Sequence, residues 1–418
     1  MIRLLLTLFL LPLIFAGCNT GSRLGNQNMA SLYSGKENTL HPHYALFNID
    51  ASTTRLFFRI SNSELLYTRE GSGDEFSAQL LLLYKLYNEK NTLIDSGSVR
   101  LRDVQTAGPA RELAGQTDID APGEHIFSLE VSLRDLNRKT AVAEQLELDK
   151  TTGAKTYFLV SSPQDQFPLF DDVLDSGQHF RIRHTDPNAA QLHVQCWFGE
   201  NPASPAPYAL HAAPPFVSKP DSSYTIDLRK DSVLRLPRKG MYFFRPDTMV
   251  KNGLTLFRFE NGYPEISQTS QLLPPLRFLT MREEYREMSE NRDTKAAVDA
   301  FWLEKAGSEE RARVIIKKFY GRVEEANSHF TSYTEGWKTD RGMIFVIFGP
   351  PQHVYKSGET ETWIYGDGTT PMSLQFQFSR VRSPYSGNLF VLNRSANYKA
   401  PWTHAVDQWR QGRVYSER

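Results

Sequence analysis

The sequence predicts a multidomain chain in which two β-sandwich-like all-β modules precede an α+β C-terminal domain. Three observations carry this expectation. Between residues 43 and 262, short apolar runs alternate with turn residues, the pattern of short antiparallel strands. After Leu272-Leu-Pro-Pro275 the composition becomes charged and helix-favouring. The length of 418 residues with 40% hydrophobic and 12% aromatic content supplies real cores, enough for about three domains of roughly 150 residues each.

The first 17 residues, MIRLLLTLFLLPLIFAG, carry one positive charge at Arg3 and an apolar run from Leu4 to Ala16. That run is too short for a bilayer core, which needs about 20 residues, and suits the apolar region of a signal peptide. It ends in Phe15-Ala16-Gly17-Cys18, small residues directly before a cysteine. This resembles the lipobox of bacterial lipoproteins, which implies acylation of Cys18 and attachment to the membrane through it. Residues 18–40, rich in Asn, Ser and Gly, then read as a flexible tether. Lipoproteins of this kind that reach the cell surface tend to carry an acidic run just after the cysteine; the stretch from Asn19 to Gly25 has no acidic residue, so the resemblance implies the periplasmic side of the outer membrane.

The first β module is expected over 41–150, with strands at Tyr44 to Ile49, Thr54 to Ile60, Phe76 to Tyr87 and His125 to Leu133. In the last of these, Phe127, Leu129, Val131 and Leu133 alternate with polar residues, as on a half-buried strand. The second module is expected over 155–265, with strands at Lys155 to Ser161, His179 to His184, Gln191 to Phe198, Ser223 to Leu228 and Leu254 to Glu260. Its loop from Gly199 to Pro220 holds six prolines, so it should lie extended on the surface. Cys196 sits within an apolar run without a basic neighbourhood, so it reads as a buried, inert thiol.

The third domain is expected over 275–418. Phe278 to Ser289 and Lys295 to Ala306 favour helix, and Ser308 can cap a longer helix to His329 whose Ile315, Phe319 and Val323 form a buried stripe. Then follow Gly336-Trp337-Lys338-Thr339-Asp340, Met343 to Phe348 as an expected strand, and Gly349-Pro350-Pro351 as its stop. Glu361 to Tyr365, Ser373 to Phe378 and Asn388 to Leu392 complete the strand-like segments. These ordered elements resemble the GWxTD domain, an uncharacterised family of bacterial envelope proteins. The resemblance covers about residues 275–395 and rests on the helix Arg311 to Phe330, the motif itself, the run Arg341 to Val346, Phe348 to Pro351, and Glu361 to Tyr365 with its Trp363. Met343 stands where a basic residue is common. The family brings a domain name and no established activity.

The candidate motif or binding residues are Gly336, Trp337, Thr339, Asp340, Arg341, Gly342, Gly349, Pro350, Pro351 and Trp363. The first reading is a folding corner, in which Thr339 and Asp340 bond local backbone amides and Asp340 pairs with the adjacent Arg341. The second makes Trp337 a stacking platform with Thr339, Asp340 and Arg341 as polar readers of a ligand. Five of the six tryptophans follow residue 300, which fits both cores and interfaces.

Function classes narrow by exclusion. Lys plus Arg equals Asp plus Glu at 48 each, so no bulk charge favours nucleic acid. Two cysteines make neither a disulfide scaffold nor a four-cysteine zinc site. The sequence contains no HExxH, G-x-S-x-G, phosphate loop or dinucleotide fingerprint, so neither a cofactor nor a metal is expected. The expectation is a lipid-anchored, non-enzymatic binding or assembly module with an envelope protein or glycan as partner. The alternatives are a hydrolase using Asp340 with His329 or His353, and a carbohydrate-binding lipoprotein using its β modules.

Overall fold

The computed structural model describes residues 28–30, 33, 40–69, 75–165, 167–210, 219–230, 232–366 and 373–415. Residues 1–17, expected to be a signal segment, and Cys18 lie outside the described residues. So do the turn at Gly71 to Gly73 and the prolines at 214 and 215.

Eight strands build the first module: β1 (His43–Asn48), β2 (Thr53–Ser61), β3 (Thr68–Arg69), β4 (Phe76–Tyr87), β5 (Leu93–Val104), β6 (Glu112–Asp120), β7 (Ile126–Asp135) and β8 (Thr140–Asp149). They form two antiparallel sheets, β1-β2-β6 and β3-β4-β7-β8, with β5 along the free side of β4. Register sets Leu82 of β4 opposite Leu133 of β7 and Val99 of β5. The alternation in β7 therefore aims Phe127, Leu129, Val131 and Leu133 at Leu56, Phe58 and Ile60 of the facing sheet, and both sheets share one core. Each such side chain contributes about 1.5–3 kcal/mol by leaving water.

The second module has β9 (Phe158–Ser161) paired with β10 (Arg181–His184), and a sheet of β11 (Gln191–Trp197), β12 (Ser222–Asp227), β13 (Gly240–Arg245) and β14 (Leu254–Arg258) in the order β12-β11-β13-β14. One face of this sheet covers the module's own core with Val194, Cys196, Tyr242 and Phe244. Its other face buries Trp197, Met241, Phe243 and Phe257 against Tyr333 and Tyr385 of the C-terminal region. Cys196 is buried, and that burial pushes its thiol up to about 11. The loop that follows β11 does not simply skirt the surface. Ser204 donates its backbone N–H to the Lys338 carbonyl at 2.8 Å, and Arg394 holds the carbonyls of Pro205 and Ala206 at 2.8 and 2.7 Å.

The C-terminal region is α+β: α1 (Arg282–Glu290), α2 (Thr294–Ala306), α3 (Glu309–Phe330), α4 (Asp340–Phe348), an antiparallel meander of β15 (His353–Lys356), β16 (Thr360–Tyr365), β17 (Leu374–Arg380) and β18 (Phe390–Leu392), then α5 (Lys399–Arg410). Ser308 caps α3, and Ile315, Phe319, Val323, Ala326 and Phe330 enter the largest core of the molecule. The expected strand over Met343 to Phe348 is instead the body of α4. All nine residues of α4 are buried, so no polar face betrays a helical period.

Residues 28–30 and 33 belong to this region in space. In the stretch expected to be a tether, Met29, Ala30 and Tyr33 are buried in the C-terminal core. Among the described residues no helix is long and apolar enough to cross a membrane.

Candidate functional site at the Gly336–Gly342 corner

Two close backbone approaches make the corner. Gly336 and Lys338 bound one 3-10 turn, after which Thr339 caps α4 by accepting the Gly342 N–H at 3.0 Å. The Thr339 hydroxyl donates in turn to the Gly336 carbonyl at 2.7 Å. A Cβ at Gly336 would lie 2.0 Å from the Ala326 carbonyl oxygen, and one at Gly342 would lie 1.9 Å from that of Gly336. Side chains are therefore excluded at both positions by backbone that cannot step aside. Trp337 is 5% exposed, donates its backbone N–H to Asn327 Oδ1 at 3.2 Å, and meets Phe278 edge-on at 5.7 Å between centroids.

The polar residues of the motif turn inward, and the expected Asp340–Arg341 pair does not form. The two are neighbours on the first turn of a buried helix, where successive side chains diverge by about 100°. Asp340 accepts the Leu392 N–H at 2.8 Å and pairs with Arg394, the residue that also grips the 205–206 carbonyls. Burial pushes the Asp340 carboxyl up, while Arg394 and the Leu392 amide oppose it. Arg341 pairs with Glu361 at 2.9 Å, donates to the Asn388 carbonyl at 2.9 Å, and lies over the Phe390 ring at 4.2 Å.

Glu361 is fully buried and accepts from Arg341, from the Tyr33 hydroxyl at 2.6 Å and from Trp363 Nε1 at 2.7 Å. Burial raises its carboxyl, but Lys356, Arg341 and the two hydrogen-bond donors outweigh that and leave it below the usual range. Trp363 is thus a fully buried partner of this carboxylate.

Gly349 ends α4 with φ +86, and a Cβ there would strike the Arg322 guanidinium at 2.6 Å. Arg322 donates to the carbonyls of Ile347 at 3.0 Å and Tyr415 at 2.9 Å, a buried cation at the negative end of α4. Burial lowers its pKa to about 10. Pro351 is buried after this turn, and Pro350 is half-buried.

Residues 240–411 match the GWxTD domain. The chain carries a GWxTD domain. The match starts at Gly240, so the domain takes in β13 and β14, which the resemblance in sequence left to the second module. The shared aromatic layer of Phe243, Phe257, Tyr333 and Tyr385 explains why these strands travel with it. No curated protein matches the chain. Among solved structures, a glycosyl hydrolase family 2 member from Bacteroides cellulosilyticus matches at 11% identity over 30% of this chain and 16% of its own, with a TM-score of 0.20. A Bacteroides uniformis β-glucuronidase matches at 15% identity over 34% of this chain and 14% of its own, with a TM-score of 0.18. Red sea bream transglutaminase matches at 14% identity over 53% of this chain and 31% of its own, with a TM-score of 0.19. The chain therefore spans under a third of each of these proteins, and likenesses this slight carry no argument about activity.

Within the GWxTD domain the two histidines weighed as acid–base partners of Asp340 sit elsewhere. His329 meets Tyr33, Phe330 and Phe345, and burial brings its pKa down to about 4. His353 stacks on Tyr355 and bonds the Asn28 amide at 3.1 Å. Among the described residues no group of three or more His, Cys, Asp or Glu converges on a metal position.

A groove of about 380 Å³ opens beside the corner, between the GWxTD domain and the 200–202 loop, with an edge of Trp337, Tyr263 and Tyr285 in its wall. A second recess of about 250 Å³ continues it past Glu335 and Lys338 towards Trp197 and Lys239. Sequence reasoning reached the motif and missed its partners Arg394, Asn388, Arg322 and Tyr33. They lie 54, 47, 25 and 328 residues from Asp340, Arg341, Ile347 and Glu361, the residues they contact, and only the fold assembles them.

Proposed function

We propose that the chain is a lipid-anchored envelope protein, attached through Cys18 at the periplasmic face of the outer membrane, in which the GWxTD domain is a non-catalytic binding and assembly element. The observation that supports this reading most is the commitment of the motif's polar groups. Asp340 and Arg341 are each 3% exposed and each is spent on joining distant segments of the same chain. A general acid or base must reach a substrate proton, and these groups reach only protein. The motif then serves as the rigid corner, and the neighbouring groove, with aromatic edges and mixed charge, offers an envelope protein or a glycan its place.

Two experiments test the two halves of the reading. Cys18→Ala should move the protein from the membrane fraction to the soluble fraction, and its retention in the membrane would overturn the lipid anchor. A photo-crosslinking residue in place of Asn201, in the groove wall, should capture one discrete envelope component. The same residue in place of Met249, which is 85% exposed on the second module, should not, and equal capture at both positions would remove the groove from the account.

A further inference from the structure

What the groove beside the corner can hold is set by the wall groups that the protein itself leaves free. The corner has no backbone N–H to give an extended peptide. Gly336 donates to the Tyr263 hydroxyl at 3.0 Å, Trp337 to Asn327 Oδ1 at 3.2 Å and Lys338 to the Glu335 carbonyl at 2.9 Å, so no ladder of the kind that adds a strand can form on these residues. Charge is likewise cancelled within the wall. Lys338 pairs with Glu335 at 2.9 Å and Lys239 with Glu260. In the larger recess Glu200 and Arg277 remain, one of each sign, with no ion pair among the described residues. A polyanion or a basic peptide therefore meets no uncompensated field there.

Neutral groups are what is left, and the amides among them are held in fixed directions. Gln271 Oε1 accepts the N–H groups of Ser267 and Gln268 at 3.0 and 2.8 Å, which orients the carboxamide and leaves its NH₂ without a partner among the described residues. The Asn201 NH₂ donates to the Tyr333 carbonyl at 3.2 Å and leaves Oδ1 as an acceptor. The hydroxyls of Ser270 and Tyr285 make no hydrogen bond among the described residues. Ring surface belongs to the same wall: Tyr285, with the Arg277 guanidinium 5.2 Å from its centroid, and Phe259, stacked on Phe257 at 5.7 Å between centroids. Oriented amides and free hydroxyls suit sugar hydroxyls, which both donate and accept, and flat rings suit the C–H faces of a pyranose. The recess of about 380 Å³ falls within the ~300–1,000 Å³ of small-ligand clefts, and the adjoining one of about 250 Å³ lengthens it. We infer that the ligand of this groove is an uncharged polysaccharide segment, recognised through Gln271, Asn201 and Tyr285. The inference rests on the binding role proposed above for the groove and names its ligand class.

Calorimetric titration of the full-length protein in detergent with cellohexaose, xylohexaose, mannohexaose and maltohexaose tests this, with hexagalacturonate as the charged comparison. At least one neutral hexasaccharide should bind saturably at millimolar concentration or below, with an affinity that changes less than about two-fold between about 0.05 and 0.5 M salt. Gln271→Glu keeps the oxygen that accepts from Ser267 and Gln268 and removes only the NH₂, so it should weaken binding about ten-fold with an unchanged circular dichroism spectrum. Tyr285→Ala should weaken binding at least as much, and Met249→Ala, on the exposed surface of the second module, should leave it unchanged. No saturable binding by any neutral hexasaccharide, or equal binding by the parent, Gln271→Glu and Tyr285→Ala, overturns the inference. So does a preference for hexagalacturonate that collapses in salt. Failure of the ligand class is separable from failure of the groove. If crosslinking at position 201 captures one envelope protein while no hexasaccharide binds, the groove keeps its binding role with a protein occupant and the glycan falls; if neither occurs, both fall.

Discussion

Glu361 concentrates the energetics of the corner in one side chain. Both of its oxygens are occupied inside the core, Oε2 by Arg341 and Oε1 by Tyr33 and Trp363. Removing one partner of a buried ion pair leaves the other charge without compensation, which costs about 3–5 kcal/mol. Arg341→Ala is therefore expected to lower the unfolding free energy by up to about that amount in urea titration, since Glu361 then keeps only the more distant Lys356, at 3.8 Å, as a counter-charge. His329 adds a pH dependence at the same place. Its folded pKa of about 4 lies below the ordinary 6.5 because burial disfavours the charged ring. The unfolded chain then binds the proton more readily, so the stability due to a neutral His329 is complete above pH 6.5 and is lost as pH falls towards 4. His329→Phe should flatten the stability profile between those values, and an unchanged slope would mean that the imidazole is solvated in the folded state.

At the scale of elements, α4 shows what the sequence reveals and what it hides. The helix over Glu309–Phe330 was legible because its polar face faces solvent and its stripe recurs every three to four residues. Met343 to Phe348 carried only apolar residues, and a strand and a fully buried helix look alike under that condition. The signals that decide are at its ends: Thr339 supplies the cap, and Gly349 the positive φ that stops it. The strands β5, β6 and β8 are hard to read in the sequence for the opposite reason, since their exposed faces are polar enough to resemble loops. The corner permits a steric test. Gly342→Ala places a methyl group 1.9 Å from the Gly336 carbonyl, and relief requires α4 to shift away from the Gly336–Lys338 turn. Overpacking of this kind costs about 1–3 kcal/mol, so the substitution is expected to reduce stability by at least that much, although alanine is the better helix former. A second element-level contact closes the helical layer. Glu284 accepts the Met281 N–H at the start of α1 and takes both guanidinium nitrogens of Arg410 from α5, at 2.7 and 2.8 Å. The Arg410 bonds hold its carboxyl down at about 2 against an ordinary 4.5. Its contribution is therefore full above pH 4.5 and is lost as pH falls to 2, and the stability gap between parent and Glu284→Gln should close over that window.

At the scale of the whole molecule, the described residues form three large hydrophobic cores joined by two smaller apolar clusters and by specific polar ties, and Arg394 is a tie that links the motif to the second module. It holds Asp340 with one nitrogen and the carbonyls of Pro205 and Ala206 with another, at 2.8 and 2.7 Å. Tyr385 supports the same junction, its ring 5.2 Å from Trp197 and 4.9 Å from Phe243. If these contacts make the second module and the GWxTD domain one cooperative unit, calorimetry of the parent should show their unfolding as a single endotherm. Arg394→Ala removes the tie but also strands the Asp340 carboxylate in the core, so a lower melting temperature alone would not distinguish lost coupling from a buried charge. The Arg394→Ala, Asp340→Asn double variant separates the two. Neutralising Asp340 removes the charge penalty and should recover part of the stability of the GWxTD domain. It cannot restore the grip on the 205–206 carbonyls. Two resolved endotherms in the double variant, with the first matching the β module, would establish the coupling role. A single endotherm in both variants would assign cohesion of the junction to the aromatic layer around Tyr385, where Tyr385→Ala should then produce the split.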